Sequence, residues 1–120
     1  MTIELLKGSV DNHIHCCPHI NKRSTNIFEV IKKAEQLEMH AVGLMDNFSN
    51  TSGYASLVKK YLPKLKLKVF GGLIMEPPSG GVSYENAKIS LNYSYFQNDG
   101  AKFISFPTHH TRHIAKLEKR

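Results

Sequence analysis

Ala41-Val42-Gly43-Leu44-Met45 is a continuous apolar run closed by Asp46, and the fold follows from how that run is read. A strand with one wet face alternates apolar and polar residues, whereas an unbroken apolar run is expected of a strand covered on both faces, as in parallel sheets. On its N-terminal side, Asn26 is placed to cap a helix, with Glu29 three residues on as its capping-box partner. Ile27, Val30, Ile31, Ala34 and Leu37 then recur at helical spacing and make one apolar stripe. On its C-terminal side a second helix is expected from Gly53 to Leu62, ahead of Pro63. Val69 to Met75 reads as a third strand. At its start Leu65, Leu67 and Val69 are expected inward, with Lys64, Lys66 and Lys68 toward water. Ser83 caps a predicted third helix through Phe96, with Gly100 beyond its end, and Lys102 to Phe106 forms a fourth strand stopped by Pro107. Upstream, Ile3, Leu5, Leu6 and Val10 lead into a first strand running to about Cys16.

Strands alternating with helices at this pitch build right-handed β-α-β units and a parallel sheet, so the fold class is α/β. A full (β/α) barrel takes eight such units in about 250 residues. This chain of 120 residues supplies about four. The expectation is one partial barrel domain over residues 1–120, about half of a TIM-like barrel and truncated relative to a full domain. Its two open sheet edges call for a second copy, a capping segment or a longer parent chain.

The composition is that of a globular protein, with 41% hydrophobic and 22% charged residues and no apolar run of membrane-spanning length. Met1 to Gly8 lack the core of a signal peptide. The two cysteines, Cys16 and Cys17, are adjacent and poorly placed for a disulfide, which points to a reducing cytoplasm. The formal charge is +6, with lysines clustered between Lys59 and Lys68 and basic residues again from Arg112 to Arg120. No aromatic-and-basic recognition motif accompanies that charge, so a solvated basic face is preferred to a nucleic-acid surface.

Asp11-Asn12-His13-Ile14-His15 ends the first strand. Residues two apart on a strand share a face, so Asp11, His13 and His15 are expected together. Two imidazoles on one rigid face can chelate a divalent metal, and the neighbouring acid can ligate it or orient a ring. The other chemistry-bearing residues also follow strand ends: Asp46 and Asn47, Glu76, and Thr108-His109-His110 with His113. In a (β/α) barrel that rim carries the active site. Asp46 is a base or ligand candidate, although Asp at a strand end also caps helices. His109 and His113 would share a face if the segment after Pro107 is helical, and either is a candidate for proton transfer. Glu76 is the weaker candidate. Cys16, Cys17 and His19 lack zinc-site spacing, and packing is the preferred role of both thiols.

The D-x-H-x-H run on a first strand resembles the amidohydrolase superfamily and the polymerase-and-histidinol-phosphatase (PHP) group of metal-dependent phosphoesterases. Beyond it, Pro18, Arg23, Phe70-Gly71-Gly72-Leu73-Ile74, Gly80-Gly81, Gly100-Ala101-Lys102 and Phe106-Pro107-Thr108 resemble one uncharacterised amidohydrolase-like family. The resemblance implies a distorted β/α barrel with a one- or two-metal site that activates water. Where that family carries Lys-x-His after the second strand, this chain has Met45-Asp46-Asn47. Leu44 to Asn47 also resembles the Thr-Asp-His of the phosphoesterases, with Asn in place of His. The implied function is a metal-dependent hydrolase of amidohydrolase type acting on a small molecule. His13, His15 and Asp11 would hold the metal, zinc first and manganese or iron as alternatives. Asp46, His109 and His113 would serve catalysis. A PHP-like phosphoesterase is the alternative of the same chemistry. A non-catalytic half-barrel or interaction module is the alternative of another class. No membrane is expected as a partner. A homo-oligomer is expected to cover the open edges.

Overall fold

A computed structural model of the chain describes residues 3–119; the basic run thus ends, at Arg120, outside the described residues. The elements follow in the order β1 (Val10–Ile14), α1 (Ile27–Gln36), β2 (Ala41–Leu44), α2 (Ser52–Tyr61), β3 (Lys68–Ile74), α3 (Tyr84–Ser90), β4 (Phe103–Ser105) and α4 (Arg112–Leu117). Single 3-10 turns lie at Ile3–Leu5 and Pro77–Ser79. The four strands pair in sequence order, all parallel, and curl into half of a TIM-like barrel. Among the described residues no helix is long and apolar enough to cross a membrane.

β2 is buried at every position. Val42 and Leu44 pack beneath Ile27, Ile31 and Ala34 of α1, with Cys16, Val58 and Leu67 completing the cluster. On the other side Gly43 leaves room for the Phe70 ring, since a Cβ there would sit 2.8 Å from it. An aromatic side chain from the neighbouring strand therefore fills the inner face. α1 starts where its cap dictates: Asn26 Oδ1 accepts the Glu29 N–H at 3.0 Å and Glu29 Oε2 accepts the Asn26 N–H at 2.9 Å. Lys64, Lys66 and Lys68 are exposed while Leu67 is buried and Leu65 and Val69 pack on the core, as the alternation predicts. The Glu35 carboxylate fixes that segment by accepting the N–H groups of Lys66 and Leu67.

Thr51 joins the C-terminal ends of the central strands. Its buried hydroxyl donates to the Leu44 carbonyl at 2.6 Å and accepts the Gly72 N–H at 3.0 Å. Gly71 permits this approach, because a Cβ would lie 2.4 Å from the Thr51 carbonyl.

Several boundaries differ from the sequence expectation. β1 stops at Ile14, after an irregular register between Asp11 and Ile14, and the backbone of Cys17 turns to pair with Thr25 and Ile27. α3 ends at Ser90 rather than reaching Phe96. There the Ser90 carbonyl accepts the Ala101 N–H and the Leu91 carbonyl accepts the Gly100 N–H, so the chain doubles back on the helix end. Gly100 is required at that crossing, since a Cβ would sit 2.4 Å from Leu91 backbone. The segment after Pro107 is a loop. α4 begins only at Arg112, where the Thr111 hydroxyl accepts the Ile114 N–H.

The half-barrel is open. Its radius of gyration is 15.3 Å, against about 13.6 Å for a closed domain of this length. Its accessible surface of 8156 Å² exceeds that of a globular monomer of the same mass by about 1,600 Å². Val10 at one edge and Phe106 beyond the other are 54% and 72% exposed.

Candidate functional site

β1 delivers the histidine pair. Ile14 packs on the core under α1, and His13 on the opposite face is exposed. Past the strand end His15 swings to meet it, with the two Nε2 atoms 3.1 Å apart and ring centroids 5.1 Å apart. At a metal–nitrogen distance of about 2.0–2.1 Å, two imidazoles on one ion have nitrogens about 2.9 Å apart at a right angle and about 3.4 Å at the tetrahedral angle. The observed separation falls between these, and it is equally that of an N–H···N hydrogen bond between the two rings. Asp11 Oδ1 accepts the His13 backbone N–H at 3.1 Å. Among the described residues no three His, Cys, Asp or Glu side chains are grouped as a metal site. Cys16 lies in the core, where burial, with Cys17 beside it, pushes its thiol pKa up. That is the behaviour of a packing residue, not of a thiolate ligand.

Around the pair lies a second layer made by His19, Arg23 and Asp46. His15 Nδ1 is buried with no hydrogen-bond partner. Burial lowers the His15 pKa, reinforced by His13, Arg23 and His19 and opposed by Asp46. The His19 side chain is 1% exposed and its ring meets His15 edge-on at 5.6 Å. His19 Nδ1 accepts the Asn21 N–H at 3.0 Å, so in the neutral ring the proton sits on Nε2. Arg23 Nη2, itself a donor, lies 3.1 Å from that Nε2, and Arg23 Nε is buried without a partner. Donors outnumber acceptors at this corner. Asp46, 8% exposed, stands 3.8 Å from His19 Nε2. Its oxygens are already engaged, Oδ1 by the Phe48 N–H and Oδ2 by the Ser49 hydroxyl. Asp46 thus caps the turn after β2 as well as facing the site.

On the far side of β2 the organising residue is Glu76, fully buried just past β3. Its Oε1 accepts the N–H groups of Thr108 at 2.8 Å and His109 at 2.6 Å. Its Oε2 accepts the His110 N–H at 2.9 Å and the His110 ring at Nδ1, 2.8 Å away. Asn47 Nδ2 bridges to the Thr108 hydroxyl at 3.0 Å and to Glu76 Oε1 at 3.4 Å. Burial pushes the Glu76 carboxyl up, but the backbone N–H groups of His109, Thr108 and His110 and the His110 ring outweigh it and hold the pKa at about 2. Adjacent residues of β2's end therefore serve the two halves of the rim, Asp46 facing His19 and Asn47 facing Glu76.

Of the histidines expected after β4, His109 lies in the loop, its ring against Phe48 and His110. His113 lies exposed on α4. Because the helix starts after His109, the two do not share a helical face, and the predicted pairing is not formed. His110, between them, is the one whose ring is tied to a buried carboxylate.

Residues 8–120 match a family described as a family of unknown function, DUF6282, and the chain belongs to that family. A comparison with curated proteins finds no match, and neither does one with solved structures.

Proposed function

From the geometry of the strand-end rim, and from the resemblance of its D-x-H-x-H run to amidohydrolases, we propose that this chain is a metal-dependent hydrolase of amidohydrolase type. The observation that carries the reading is the pair of Nε2 atoms of His13 and His15, 3.1 Å apart at the C-terminal end of β1. His13 and His15 would hold a divalent ion, zinc first, with Asp11 as the candidate oxygen donor. When bound, such an ion supplies Lewis acidity, bringing the pKa of a coordinated water from about 16 towards 7. The chain's own residues do the rest. His19, packed edge-on against His15, fixes the ring plane. Asp46, within 3.8 Å of His19, offsets the positive charge gathered by Arg23 and the imidazoles. Thr108 and Asn47, tied to Glu76, hold the β4 loop over the same rim.

A second reading, a phosphoesterase, is favoured by one feature: the Arg23 guanidinium and His19 Nε2–H present donors without matching acceptors. An anionic oxygen of a phosphate group would accept from both. The excess accessible surface, about 1,600 Å² per chain, is about twice the ~800 Å² that each partner contributes to a standard interface, and we assign it to self-association of half-barrels. The test is hydrolysis of p-nitrophenyl acetate and p-nitrophenyl phosphate, with zinc or manganese added, by the native chain and by His13→Ala/His15→Ala. Metal-dependent turnover lost in the double variant is expected. Turnover that is independent of metal, or equal in the two proteins, refutes the reading, and preference for the phosphate ester selects the second form.

A further inference from the structure

We propose that His110 is the catalytic proton-transfer residue of this rim and that Glu76 is its positioning residue, holding Nδ1–H so that Nε2 is the working atom. The inference rests on the hydrolase reading above and goes beyond it by assigning the acid-base group.

The structure places the seven histidines differently, and the contact of His110 with Glu76 weighs most. His13 and His15 face each other. His19 is enclosed between the Asn21 N–H, Arg23 and Asp46. His40 lies at the start of β2, the end opposite the rim. His113 is exposed on α4. The His109 backbone serves Glu76, and the rings of His109 and His110 both meet Phe48 and each other edge-on. His110 combines a ring fixed by a buried carboxylate with an open nitrogen. Nδ1 lies 2.8 Å from a carboxylate that is fully buried, while the side chain as a whole is 28% exposed. Nε2 makes no hydrogen bond among the described residues.

A carboxylate can only accept, so Nδ1 must carry the proton and Nε2 the lone pair in the neutral ring. One tautomer is thereby selected, which is the service an orienting acid gives a catalytic histidine. Glu76 is itself held by the three backbone N–H groups of Thr108, His109 and His110, so the base and its orienter share one loop. In the step assigned to it, Nε2 takes a proton from the attacking water as its oxygen bonds to the carbonyl carbon or phosphorus. The electron pair of the cleaved bond leaves on the departing atom, which then collects the proton from Nε2–H. Water is consumed, and one acid and one alcohol or amine result.

The test combines ring-nitrogen NMR of the native chain with hydrolysis of p-nitrophenyl acetate and p-nitrophenyl phosphate in the presence of zinc. The NMR is expected to find His110 with Nδ1 protonated and Nε2 bare. Glu76→Gln turns an amide NH2 toward the ring and is expected to invert the tautomer. His110→Gln, which keeps all three backbone bonds to Glu76, is expected to lower turnover about 10²–10⁴-fold without changing zinc affinity. A native His110 protonated on Nε2 overturns the positioning role, whether or not Glu76→Gln folds. His110→Gln with native turnover overturns the catalytic role and leaves the hydrolase reading standing. A native chain that binds zinc, has the expected tautomer and hydrolyses neither ester overturns the hydrolase reading, and the catalytic assignment with it.

Discussion

Acidification should release the β4 loop through a single side chain. Glu76 is fully buried and holds its proton only below about pH 2, against an ordinary 4.5. That difference corresponds to about 3 kcal/mol of native stability at neutral pH. Because the folded pKa lies below the unfolded one, the contribution is complete above about pH 4.5. It falls by about 1.4 kcal/mol per pH unit below that and is gone once pH passes about 2. Glu76→Gln removes the charge at every pH and turns an amide donor toward the N–H and ring of His110, so the variant loses this increment from the start. The assay is urea unfolding of the native chain and of Glu76→Gln from pH 7 to pH 2. It is followed by far-UV circular dichroism, since the chain has no Trp. The gap between the two proteins is expected to be about 3 kcal/mol at pH 7 and to close toward pH 2. A gap below about 1 kcal/mol, the scale of an ordinary surface hydrogen bond, or one that does not change with pH, would refute the reasoning.

Gly71→Ala places a Cβ 2.4 Å from the Thr51 carbonyl and should cost about 1–3 kcal/mol by overpacking; an unchanged melting temperature would mean that α2 is not seated on β3. Thr51→Val keeps the shape but leaves the buried Gly72 N–H without the hydroxyl at 3.0 Å. A similar loss of about 1–3 kcal/mol is expected by chemical denaturation. Light scattering should find the chain associated at micromolar concentration. Phe106→Lys, at a position 72% exposed beside the β4 edge, should shift it toward monomer; a native chain that is monomeric throughout would contradict the assignment of the open surface.

The architecture was readable because its signals are local. The unbroken run Ala41 to Met45, the Asn26–Glu29 capping box and the Leu/Lys alternation before β3 each depend on residues within a few positions of one another. The same holds for the histidine pair, whose members are two apart on one segment. What escaped is what long-range contacts decide. α3 ends where Gly100 and Ala101 come back to claim the carbonyls of Leu91 and Ser90, and nothing in the helix itself announces that. Glu76 looks unremarkable before Pro77-Pro78, yet it gathers N–H groups from residues more than thirty positions later. Its partner His110 therefore carries no local signal, whereas the spacing of His109 and His113 suggests a helix that in fact starts only at Arg112. Asp46 was read correctly as a strand-end residue, but its oxygens serve Phe48 and Ser49 first. Arg23 stands out only through the family resemblance and His19 lacks zinc-site spacing; the folding of the β1–α1 loop brings them to His15 and Asp46.

The central claim is that His13 and His15 form a metal-binding pair, and calorimetric titration of zinc into the metal-stripped chain tests it most directly. The native chain is expected to take up zinc at the pair, and His13→Ala/His15→Ala to take up none there while keeping its far-UV spectrum and melting temperature. Both side chains stand clear of the cluster that holds α1 on the sheet, so loss of binding with the fold intact is the predicted result. Equal zinc stoichiometry in the two proteins would contradict the account.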